Sequence, residues 1–392
     1  MMHKKEVYLD HAATTSVDKD VLEKMSPYFL EKYGNPGSFH DLGLEAKGAL
    51  DDSRTRIAKI LGCKSDEIIF TGSGTESINM AIKGIAFKKG KGHIITSKIE
   101  HHAVLHVCEY LEKKGFEISY IDVDKYGIID LEKLKNAIRK DTFLISVMYA
   151  NNEIGTIQPI KEISKIANEN NISFHTDACQ AAGLLDIKVH ELGVDMMTIN
   201  AGKIYGPKGV GLLYKKKDIL IEPLIHGGGQ EYDLRSGTEN VPGIVGFAAA
   251  LEKVQEKKNE ETERLLELRS YFEKGLLKIS KTRLNGHPEK RLANNVNISF
   301  MDIEGEAMLL YLNEKGICAS TGSACASKSL DPSHVLLAIG LAYEASHGSI
   351  RFSMGKDTKK EDIEYVIEVM PEIVETLRKI SPLNLNMEHY SN

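Results

Sequence analysis

Lys203 is the residue of this chain whose surroundings first suggest chemistry. It lies in the stretch NAGKIYGPKG, Asn200 to Gly209, directly after the apolar run DMMTI. Two lysines among three glycines suggest phosphate binding, but their spacing does not match the G-x-x-x-x-G-K-[ST] pattern of a nucleotide-binding loop. An isolated lysine in a glycine loop is usually a solvated side chain, so the role of Lys203 depends on its neighbours.

Asp177 and the segment TGSGTES are those neighbours. Asp177 ends the predicted strand ISFHT, where a buried carboxylate costs desolvation free energy unless a cation meets it. TGSGTES opens a predicted helix, so its backbone N–H groups would suit a phosphate, although such turns also start ordinary helices. Pyridoxal phosphate is held by a phosphate-binding site, a carboxylate for its pyridinium nitrogen and a lysine for its aldehyde. Together they predict that Lys203 is the covalent anchor of this cofactor.

Two other polar groups follow predicted strands but also have ordinary explanations. The pair His101-His102 follows the stretch SKIE, and a histidine pair is more often surface or core filling than a metal site. Asn151-Asn152-Glu153 follows SVMYA, and an asparagine in that position is usually a turn former. Neither group predicts a function by itself.

The elements that must position these residues alternate along the chain. Short β-rich runs are separated by amphipathic helical stretches, and the runs are EIIF at 67, HIITS at 93, FEISYIDV at 116, TFLISVMYA at 142, ISFHTDA at 172 and MMTIN at 196. This alternation predicts an α/β domain with a mostly parallel sheet, in which ligands bind at the carboxyl ends of the strands. From about residue 245 a charged helical pattern predicts a solvated connecting helix, followed by a second, α+β region.

Composition excludes several classes of function. The 392 residues predict a large and a smaller domain. A net charge of -6 gives no electrostatic reason to expect nucleic acid or an anionic membrane surface. The amino terminus turns polar early, and no apolar run reaches the roughly 18 residues of a membrane helix. We therefore expect a cytoplasmic protein that acts on a small molecule or another protein.

The five cysteines predict free thiols. Their number is odd and they contain no C-x-x-C pair, so neither a disulfide framework nor a structural zinc site is indicated. Cys325 differs from the others because it lies in STGSACASKSLDPSH, a composition typical of a mobile surface loop. The remaining four lie in helix or strand patterns, where an inert thiol is the ordinary expectation; they are Cys63, Cys108, Cys179 and Cys318.

Taken in order, the motifs of this chain resemble those of the cysteine desulfurases of the NifS and IscS kind. They are YLDHAATT, FTGSGTES, EHHAVL, NNEIGTIQPI, HTDACQAAG, KIYGPKGVG, HGGGQEYDLRSGTEN and STGSACASKSLDPSHVL, and they run from about Tyr8 to about Ser381. The resemblance implies the pyridoxal-phosphate-dependent transferase fold of type I. It implies a large domain over 16–260 with a mostly parallel seven-stranded sheet, and a small α+β domain formed by 1–15 and 261–392 that carries the Cys325 loop.

The resemblance also implies cofactor-binding roles. Lys203 would bind pyridoxal phosphate covalently and move protons, Asp177 would pair with the pyridine nitrogen, and His101 would stack on the ring and act in acid–base steps. Further contacts are implied at the ring hydroxyl for Gln180 and Asn152, at the phosphate for Gly74, Thr75 and Asn200, and at the phosphate of the neighbouring subunit for Thr238. The last role implies a homodimer with shared active sites.

Substrate and sulfur roles follow from the same resemblance. Arg351 would clamp the carboxylate of L-cysteine as a bidentate donor, with Asn35 and Asn152 nearby. Cys325 would attack the substrate sulfur, keep it as a persulfide and release L-alanine. The sulfur would pass to an iron–sulfur scaffold protein or another acceptor, for cluster assembly or tRNA thiolation. The long loop is more similar to the IscS-like branch than to the SufS-like one. No resident metal is expected. Whether an iron–sulfur cluster binds transiently at Cys325 stays an open question.

One position departs from the family pattern. Ser-x-His-Lys usually surrounds the cofactor lysine, whereas this chain has Asn200, Ala201, Gly202 and Lys203. Asn200 can still donate a hydrogen bond, but Gly202 lacks the imidazole. Loss of a hydrogen bond to a charged group is worth about 1.5 to 3 kcal/mol, so we expect about ten- to a hundredfold weaker cofactor binding if nothing compensates.

Two alternatives stay open from the residues. One is a selenocysteine lyase, or another pyridoxal phosphate lyase or aminotransferase of the same fold, since fold does not fix chemistry. Cys325 argues against an aminotransferase, which needs no such thiol. The other is a non-catalytic scaffold that has lost the cofactor. Retention of Lys203, Asp177, His101 and Cys325 together argues against a scaffold.

Overall fold

The computed structural model describes residues 6–322, 332–383 and 385. Its strands are β1 (Val7–Tyr8), β2 (Ile68–Thr71), β3 (His93–Ser97), β4 (Glu117–Ile121), β5 (Thr142–Ser146), β6 (Ser173–Asp177), β7 (Met196–Asn200), β8 (Gly211–Lys215), β9 (Thr282–Leu284), β10 (Asn295–Phe300), β11 (Ile317–Cys318) and β12 (Ser349–Ser353). Its helices are α1 (Lys19–Met25), α2 (Pro27–Leu30), α3 (Asp41–Leu61), α4 (Gly74–Lys89), α5 (His102–Glu112), α6 (Leu131–Ala137), α7 (Ile160–Glu169), α8 (Val189–Leu192), α9 (Val241–Glu256), α10 (Lys258–Leu276), α11 (Gly305–Glu314), α12 (His334–Ala338), α13 (Tyr343–Ser346) and α14 (Lys360–Ile380). Single 3-10 turns cover Ser65–Glu67 and Ala201–Lys203.

The central sheet has seven strands in the order β2-β8-β7-β6-β5-β3-β4. Strands β7, β6, β5, β3 and β4 are parallel, and β8 is antiparallel to both of its neighbours. This confirms the mostly parallel sheet and all six predicted strand runs. The seventh strand, β8, did not belong to the predicted alternation because it follows β7 without an intervening long helix. The carboxyl ends of β2, β3, β5, β6 and β7 meet at one edge.

Buried hydrogen bonds hold the middle of this sheet in register. The His175 ring, in β6, lies 2.9 Å from Ser146 Oγ in β5 and 3.0 Å from Thr198 Oγ1 in β7. Burial lowers the pKa of His175 to about 4, so the ring is neutral at pH 7. A neutral imidazole can donate from one nitrogen and accept at the other, which satisfies both neighbours without a buried charge.

Three large apolar cores lie within the structure. The largest, with residues from Val21 to Leu251, and a second, with residues from Ile69 to Ile221, pack against the central sheet. The third combines Val7 and Leu9 with residues from Leu265 to Leu377, so the two ends of the described chain meet. Strand β1 pairs in parallel with β11, and β10 joins β9 and β12 in a separate antiparallel sheet.

The prediction of a solvated helix after residue 245 is wrong for the first half of that segment. Two helices replace it, and α9 buries the small and apolar residues GIVGFAAAL against α3 and α1. Gly246 shows how close the approach is, since a Cβ there would lie 2.4 Å from Met25 Sδ. The charge run that suggested solvent exposure belongs mainly to α10, which is more polar.

The segment between β8 and α9 is fixed to the large core by buried charges. Glu231 accepts two hydrogen bonds from Arg54, at 2.8 and 2.6 Å, and a third from Phe70 N at 2.8 Å. Glu231, Tyr232 and Asp233 all have positive φ, between 48° and 63°, a conformation that residues with side chains rarely adopt and that tertiary contacts must hold.

No helix in the described ranges is long and apolar enough to cross a membrane.

Candidate active site

The carboxyl edge of the sheet collects most of the residues singled out from the sequence. Gly74 follows β2, His101 follows β3, and Asn152 follows β5. Asp177 is the last residue of β6, and Lys203 follows β7 by one turn. Because these strand ends lie side by side in the sheet, residues separated by more than a hundred positions in sequence come together.

Gly74 allows helix α4 to begin directly against the ends of β6 and β7. A Cβ on Gly74 would lie 2.9 Å from Cys179 Sγ and 3.4 Å from Asn200 Cβ, so any larger residue would force the helix away. Ser73 caps the helix by accepting a hydrogen bond from Glu76 N at 3.1 Å. The amino-terminal N–H groups of α4 therefore face the same region as the Asn200 amide, and they are suited to an anion.

Asp177 is buried beside this helix start, with 8% of its surface exposed. Its Oδ1 accepts a hydrogen bond from Cys179 N at 2.9 Å. Burial raises the pKa of the Cys179 thiol well above its usual value, and the Asp177 carboxylate, by its charge and a side-chain hydrogen bond, adds to this. Cys179 is therefore a protonated thiol at pH 7 and not a nucleophile.

Lys203 reaches the amino-terminal segment of the chain. Asn200 Oδ1 accepts from Gly202 N at 2.8 Å and caps the turn that carries Lys203. Lys203 Nζ donates to Ala12 O at 2.8 Å and also to Ala13 O. Gln180 Nε2 donates to the same Ala12 O at 2.9 Å. Residues from the predicted small domain thus complete the surroundings of Lys203.

His101 caps helix α5, and the residue before it was overlooked in the sequence. His101 Nδ1 accepts from Ala103 N at 3.1 Å. Glu100 is 1% exposed and accepts from Ser97 Oγ at 2.7 Å and from Met148 N at 2.9 Å. Burial raises the pKa of Glu100 to about 8, and the nearby Asp177 charge acts in the same direction. Its carboxyl group joins the ends of β3 and β5. In the sequence, the signal that could have identified Glu100 is an acidic residue between two apolar runs.

Arg351 contacts Asn152, and its guanidinium is already engaged by groups of this chain. Arg351 Nη2 donates to Asp10 Oδ1 at 2.7 Å, and Nη1 donates to Asn152 O at 3.1 Å. Arg351 is 1% exposed, and its Nε has no hydrogen-bond partner within the described ranges. Bidentate binding of a carboxylate would therefore have to displace Asp10 or use Nε together with one Nη.

Three predicted residues lie on the surface of the chain, and one cannot be located. Thr75, Asn35 and Thr238 are exposed. Asn35 Oδ1 accepts from Gly37 N at 2.9 Å within a turn, and among the described residues neither Asn35 nor Thr238 has a hydrogen bond to Lys203, Asp177 or Gln180. Cys325 lies outside the described residues, so the prediction of a loop around it stays a prediction.

Comparison with known proteins assigns the chain to a family. The model of the class-V aminotransferases matches residues 7–366. The cysteine desulfurase IscS of Dictyoglomus turgidum is 57% identical, with 97% of each chain covered, and that of Methanosarcina thermophila is 56% identical, with 97% of this chain and 94% of the relative covered.

Solved structures agree. A NifS-like protein superposes with a TM-score of 0.90 at 41% identity, covering 95% of this chain and all of the other. The structure of SspA in complex with cysteine gives a TM-score of 0.79 at 40% identity, covering 89% and 98%. The chain therefore belongs to the class-V aminotransferases, pyridoxal-phosphate-dependent enzymes of fold type I. Within them it belongs with the cysteine desulfurases, as the motifs predicted.

The described residues fit pyridoxal phosphate. A helix start that only glycine permits faces the Asn200 amide, which lies 3.5 Å from the Cβ position of Gly74. A buried carboxylate, Asp177, and a lysine amino group, Lys203, complete the donor set that this cofactor needs. The arrangement can hold an anionic group at one end, a protonated ring nitrogen at the other and a carbonyl carbon at the lysine.

Glu100 is expected to make the fold less stable as pH rises. Its pKa is about 8 in the folded state against 4.5 ordinarily, so between these values the folded protein keeps a proton that the unfolded chain has released. Its stabilising contribution is complete below pH about 4.5 and is lost as pH rises to about 8, at about 1.4 kcal/mol per pH unit.

Glu100→Gln cannot ionise and should remove this part of the slope. The measurement is the free energy of unfolding in urea between pH 5 and pH 8. Glu23→Gln, an exposed change in α1, is the matched control and should keep the slope of the unmodified protein. Equal slopes for Glu100→Gln and the control would show that Glu100 is ionised in the folded state.

Proposed function

We propose that the protein converts L-cysteine to L-alanine and transfers the sulfur to Cys325, as a pyridoxal-phosphate-dependent cysteine desulfurase. The observation that carries the proposal is the convergence of Asp177, Lys203 and Gly74 at one edge of the sheet. The full-length similarity to cysteine desulfurases supports the substrate. One relative of similar fold was solved with cysteine.

Cofactor binding divides among the residues of the sheet edge. Asp177 would keep the proton on the pyridine nitrogen, and Lys203 would hold the cofactor covalently. Gly74, Thr75 and Asn200 would bind the phosphate. When bound, pyridoxal phosphate withdraws electrons from the substrate and weakens bonds at its carbon atoms. His101 would cover the ring, and Gln180 and Asn152 would donate to its hydroxyl group.

The substrate is held and protonated by residues of this chain. Arg351 would bind the carboxylate of L-cysteine, with Asn152 and Asn35 beside it. Lys203 Nζ, which lies among the carbonyl groups of Ala12 and Ala13, would move protons to and from substrate carbon.

Sulfur transfer balances without an external oxidant. The Cys325 thiolate attacks the substrate sulfur, a sulfur–sulfur bond forms and the carbon–sulfur bond breaks. The electron pair left on carbon takes a proton, which gives L-alanine, and Cys325 carries a persulfide. An acceptor thiol, on an iron–sulfur scaffold protein or a thiolation factor, then removes the outer sulfur. The four described cysteines are free thiols, which supports a reducing, cytoplasmic compartment.

Domain division and dimerisation complete the proposal. The large domain covers 16–260, and the small domain combines 1–15 with 261–392. The core with residues from Val21 to Leu251 and the core that joins Val7 and Leu9 to residues from Leu265 to Leu377 support this division. A homodimer is supported by bulky exposed side chains in α2 and between α2 and α3, namely Phe29, Leu30, Tyr33 and Phe39, of which Phe39 is 96% exposed. Thr238 would then serve the phosphate of the partner subunit.

Cys325→Ala is expected to lower alanine formation from L-cysteine at least a hundredfold, because the nucleophile is lost. The measurement combines alanine by chromatography with the mass of the Cys325 peptide, which should gain one sulfur and lose it again when an acceptor thiol is added. Cys63→Ala is the control, since burial raises the pKa of that thiol to about 12. Alanine formation that survives Cys325→Ala would favour the lyase alternative.

Gly202→His is expected to tighten cofactor binding about ten- to a hundredfold, because it restores a donor to the phosphate. The change requires a shift of a few tenths of an ångström at the Asn200 side chain, since a Cβ on Gly202 would lie 3.3 Å from Asn200 Oδ1 and 3.5 Å from Lys208 Cγ. The dissociation constant is measured by titrating apoprotein with pyridoxal phosphate. Gly202→Ala adds the Cβ alone and is the control. Equal constants for the histidine and alanine variants would refute the weakened site.

A mixture of Lys203→Ala and Thr238→Ala subunits tests the shared active site. If Thr238 acts on the partner's cofactor, each mixed dimer contains one site with both native residues, and up to half of the native activity per dimer returns. If Thr238 acts within its own chain, every site of the mixed dimer lacks one residue. Activity of the co-refolded mixture, compared with each variant refolded alone, decides between the two arrangements.

A further inference from the structure

Every polar group of Thr15 bonds to the chain segment that carries Lys203. Thr15 N and Thr15 Oγ1 both donate to Gly202 O, at 3.0 and 3.2 Å. The same Oγ1 accepts from Tyr205 N at 2.8 Å, and Thr15 O accepts from Lys208 Nζ at 3.1 Å. Thr15 is 2% exposed, so protein partners replace water at all of these groups.

The two groups that the Thr15 hydroxyl contacts lie on either side of Lys203. Gly202 O belongs to the peptide group that directly precedes Lys203, and Tyr205 N lies two residues after it. Holding both peptide groups restricts the backbone dihedral angles between them, and the backbone sets the direction in which the lysine side chain points. We call residues 202–205 the lysine turn.

The backbone of the lysine turn requires support from the rest of the structure. Tyr205 has a φ of 63°, in the left-handed region that is unfavourable for a residue with a side chain. Besides the bond from its N–H to Thr15, its carbonyl oxygen accepts from Asp18 N at 2.9 Å and its hydroxyl accepts from Lys356 N at 2.8 Å. These tertiary contacts hold Tyr205 in a conformation that local preference disfavours.

Thr15 ends a short segment whose other end contacts Arg351. We call residues 10–15 the amino-terminal bridge. Asp10 Oδ1 accepts from Arg351 Nη2 at 2.7 Å, and Ala12 N donates to Ser353 Oγ at 2.8 Å. Arg351 and Ser353 both belong to β12, so the amino-terminal bridge joins this strand to the lysine turn.

Hydrogen bonds also fix the amino-terminal bridge internally. Ala13 N and Thr14 N donate to Asp10 O, at 3.0 and 3.4 Å. Tyr8 Oη donates to Thr14 O at 3.0 Å. Because the segment is folded on itself in this way, the separation between its two ends is fixed by main-chain geometry.

We propose that Thr15 is a positioning residue, whose hydroxyl fixes the lysine turn to the amino-terminal bridge and so sets the position of Lys203 relative to Arg351. The inference rests on the proposed roles of Lys203 as cofactor anchor and proton carrier and of Arg351 as the carboxylate-binding group. A substrate held by its carboxylate at Arg351 presents its carbon atoms at a set distance from that side chain. Proton transfer by Lys203 therefore depends on the separation of the two residues.

Thr15→Val keeps the shape of the side chain and removes the bonds that the hydroxyl makes. The first measurement is the exchange of the Cα hydrogen of L-alanine for deuterium in D2O, catalysed by the complete enzyme with its cofactor and followed by NMR. Lys203 takes the proton from carbon and returns a deuteron from solvent, so one C–H bond is replaced by one C–D bond without oxidation, and Cys325 takes no part. We expect the exchange rate of Thr15→Val to fall about tenfold.

The second measurement separates an effect through Lys203 from a general effect on the site. The dissociation constant of pyridoxal phosphate is measured for the unmodified protein, Thr15→Val, Lys203→Ala and the double variant. If Thr15 acts through Lys203, Thr15→Val weakens binding about five- to tenfold where the lysine is present and has no effect in Lys203→Ala. Equal weakening in both backgrounds would overturn the proposal.

Two variants serve as controls. The hydroxyl of Thr156, another buried threonine, donates to Tyr126 O at 2.7 Å and accepts from His287 N at 3.0 Å. Thr156→Val therefore removes the same pair of bonds elsewhere and should change neither the exchange rate nor the dissociation constant. Thr15→Ser keeps a hydroxyl group and should restore both. Equal exchange rates for Thr15→Val and Thr156→Val would contradict the positioning role.

Failure of the proposed function gives a different result. Borohydride reduction of the unmodified enzyme should fix the cofactor on the Lys203 peptide, as detected by mass spectrometry; cofactor fixed elsewhere, or not at all, would show that the proposed role of Lys203 is wrong. Hydrogen exchange of the Tyr205 amide still decides whether Thr15 holds the lysine turn, since Thr15→Val should accelerate it about tenfold or more. An unchanged Tyr205 amide would overturn the proposal. Should Thr15→Val fail to fold, Thr15→Cys, whose thiol is only a weak donor and acceptor, replaces it in each measurement with the same expected direction.

Discussion

The approach of helix α4 to the ends of β6 and β7 is the constraint on which the rest of the site depends. Gly74 lies so close to Cys179 and Asn200 that no side chain fits between them. This contact places the amino terminus of a 16-residue helix next to the ends of β6 and β7, which carry a buried carboxylate and, one turn after β7, a lysine. An anion, a ring nitrogen and a carbonyl group can then be held at fixed separations by these three elements.

The second constraint is the return of the chain to its own beginning. Strand β1 pairs with β11, and Leu9 belongs to the same core as α10 and α14. The residues that follow Leu9 therefore lie at the sheet edge. There Ala12 O accepts hydrogen bonds from both Lys203 and Gln180, and Asp10 pairs with Arg351. Lys203 and Arg351 are thus contacted by a segment that precedes them by 191 and 341 residues.

Burial of polar groups at this edge is costly, and the structure offsets most of that cost locally. Glu100 and His175 each bind groups on two neighbouring strands, so their polar atoms replace water by protein partners. Arg351 is the exception, since its Nε is buried without a partner in the described ranges. An unpaired buried donor lowers stability but favours an incoming acceptor, which is what a carboxylate-binding site requires.

Local patterns were enough to predict most elements of the large domain and the class of chemistry. Periodicity located six of the seven central strands, and all of these except β4 are largely buried, which requires a continuous apolar run. The order of Asp177 and Lys203 after consecutive strands indicated the cofactor, and the ordered motifs indicated the family. Residue type and spacing sufficed there because each signal is local.

Contacts between distant groups could be found only in three dimensions. Four features join segments that are far apart in sequence. They are the burial of α9, the pairing of Arg351 with Asp10, the role of Ala12 O and the position of the Thr15 hydroxyl between Gly202 O and Tyr205 N. Strand β8 was not predicted from the alternation of strands and helices, because an antiparallel strand needs no crossover helix. A one-dimensional pattern records which face of an element is apolar; packing in three dimensions selects the partner of that face.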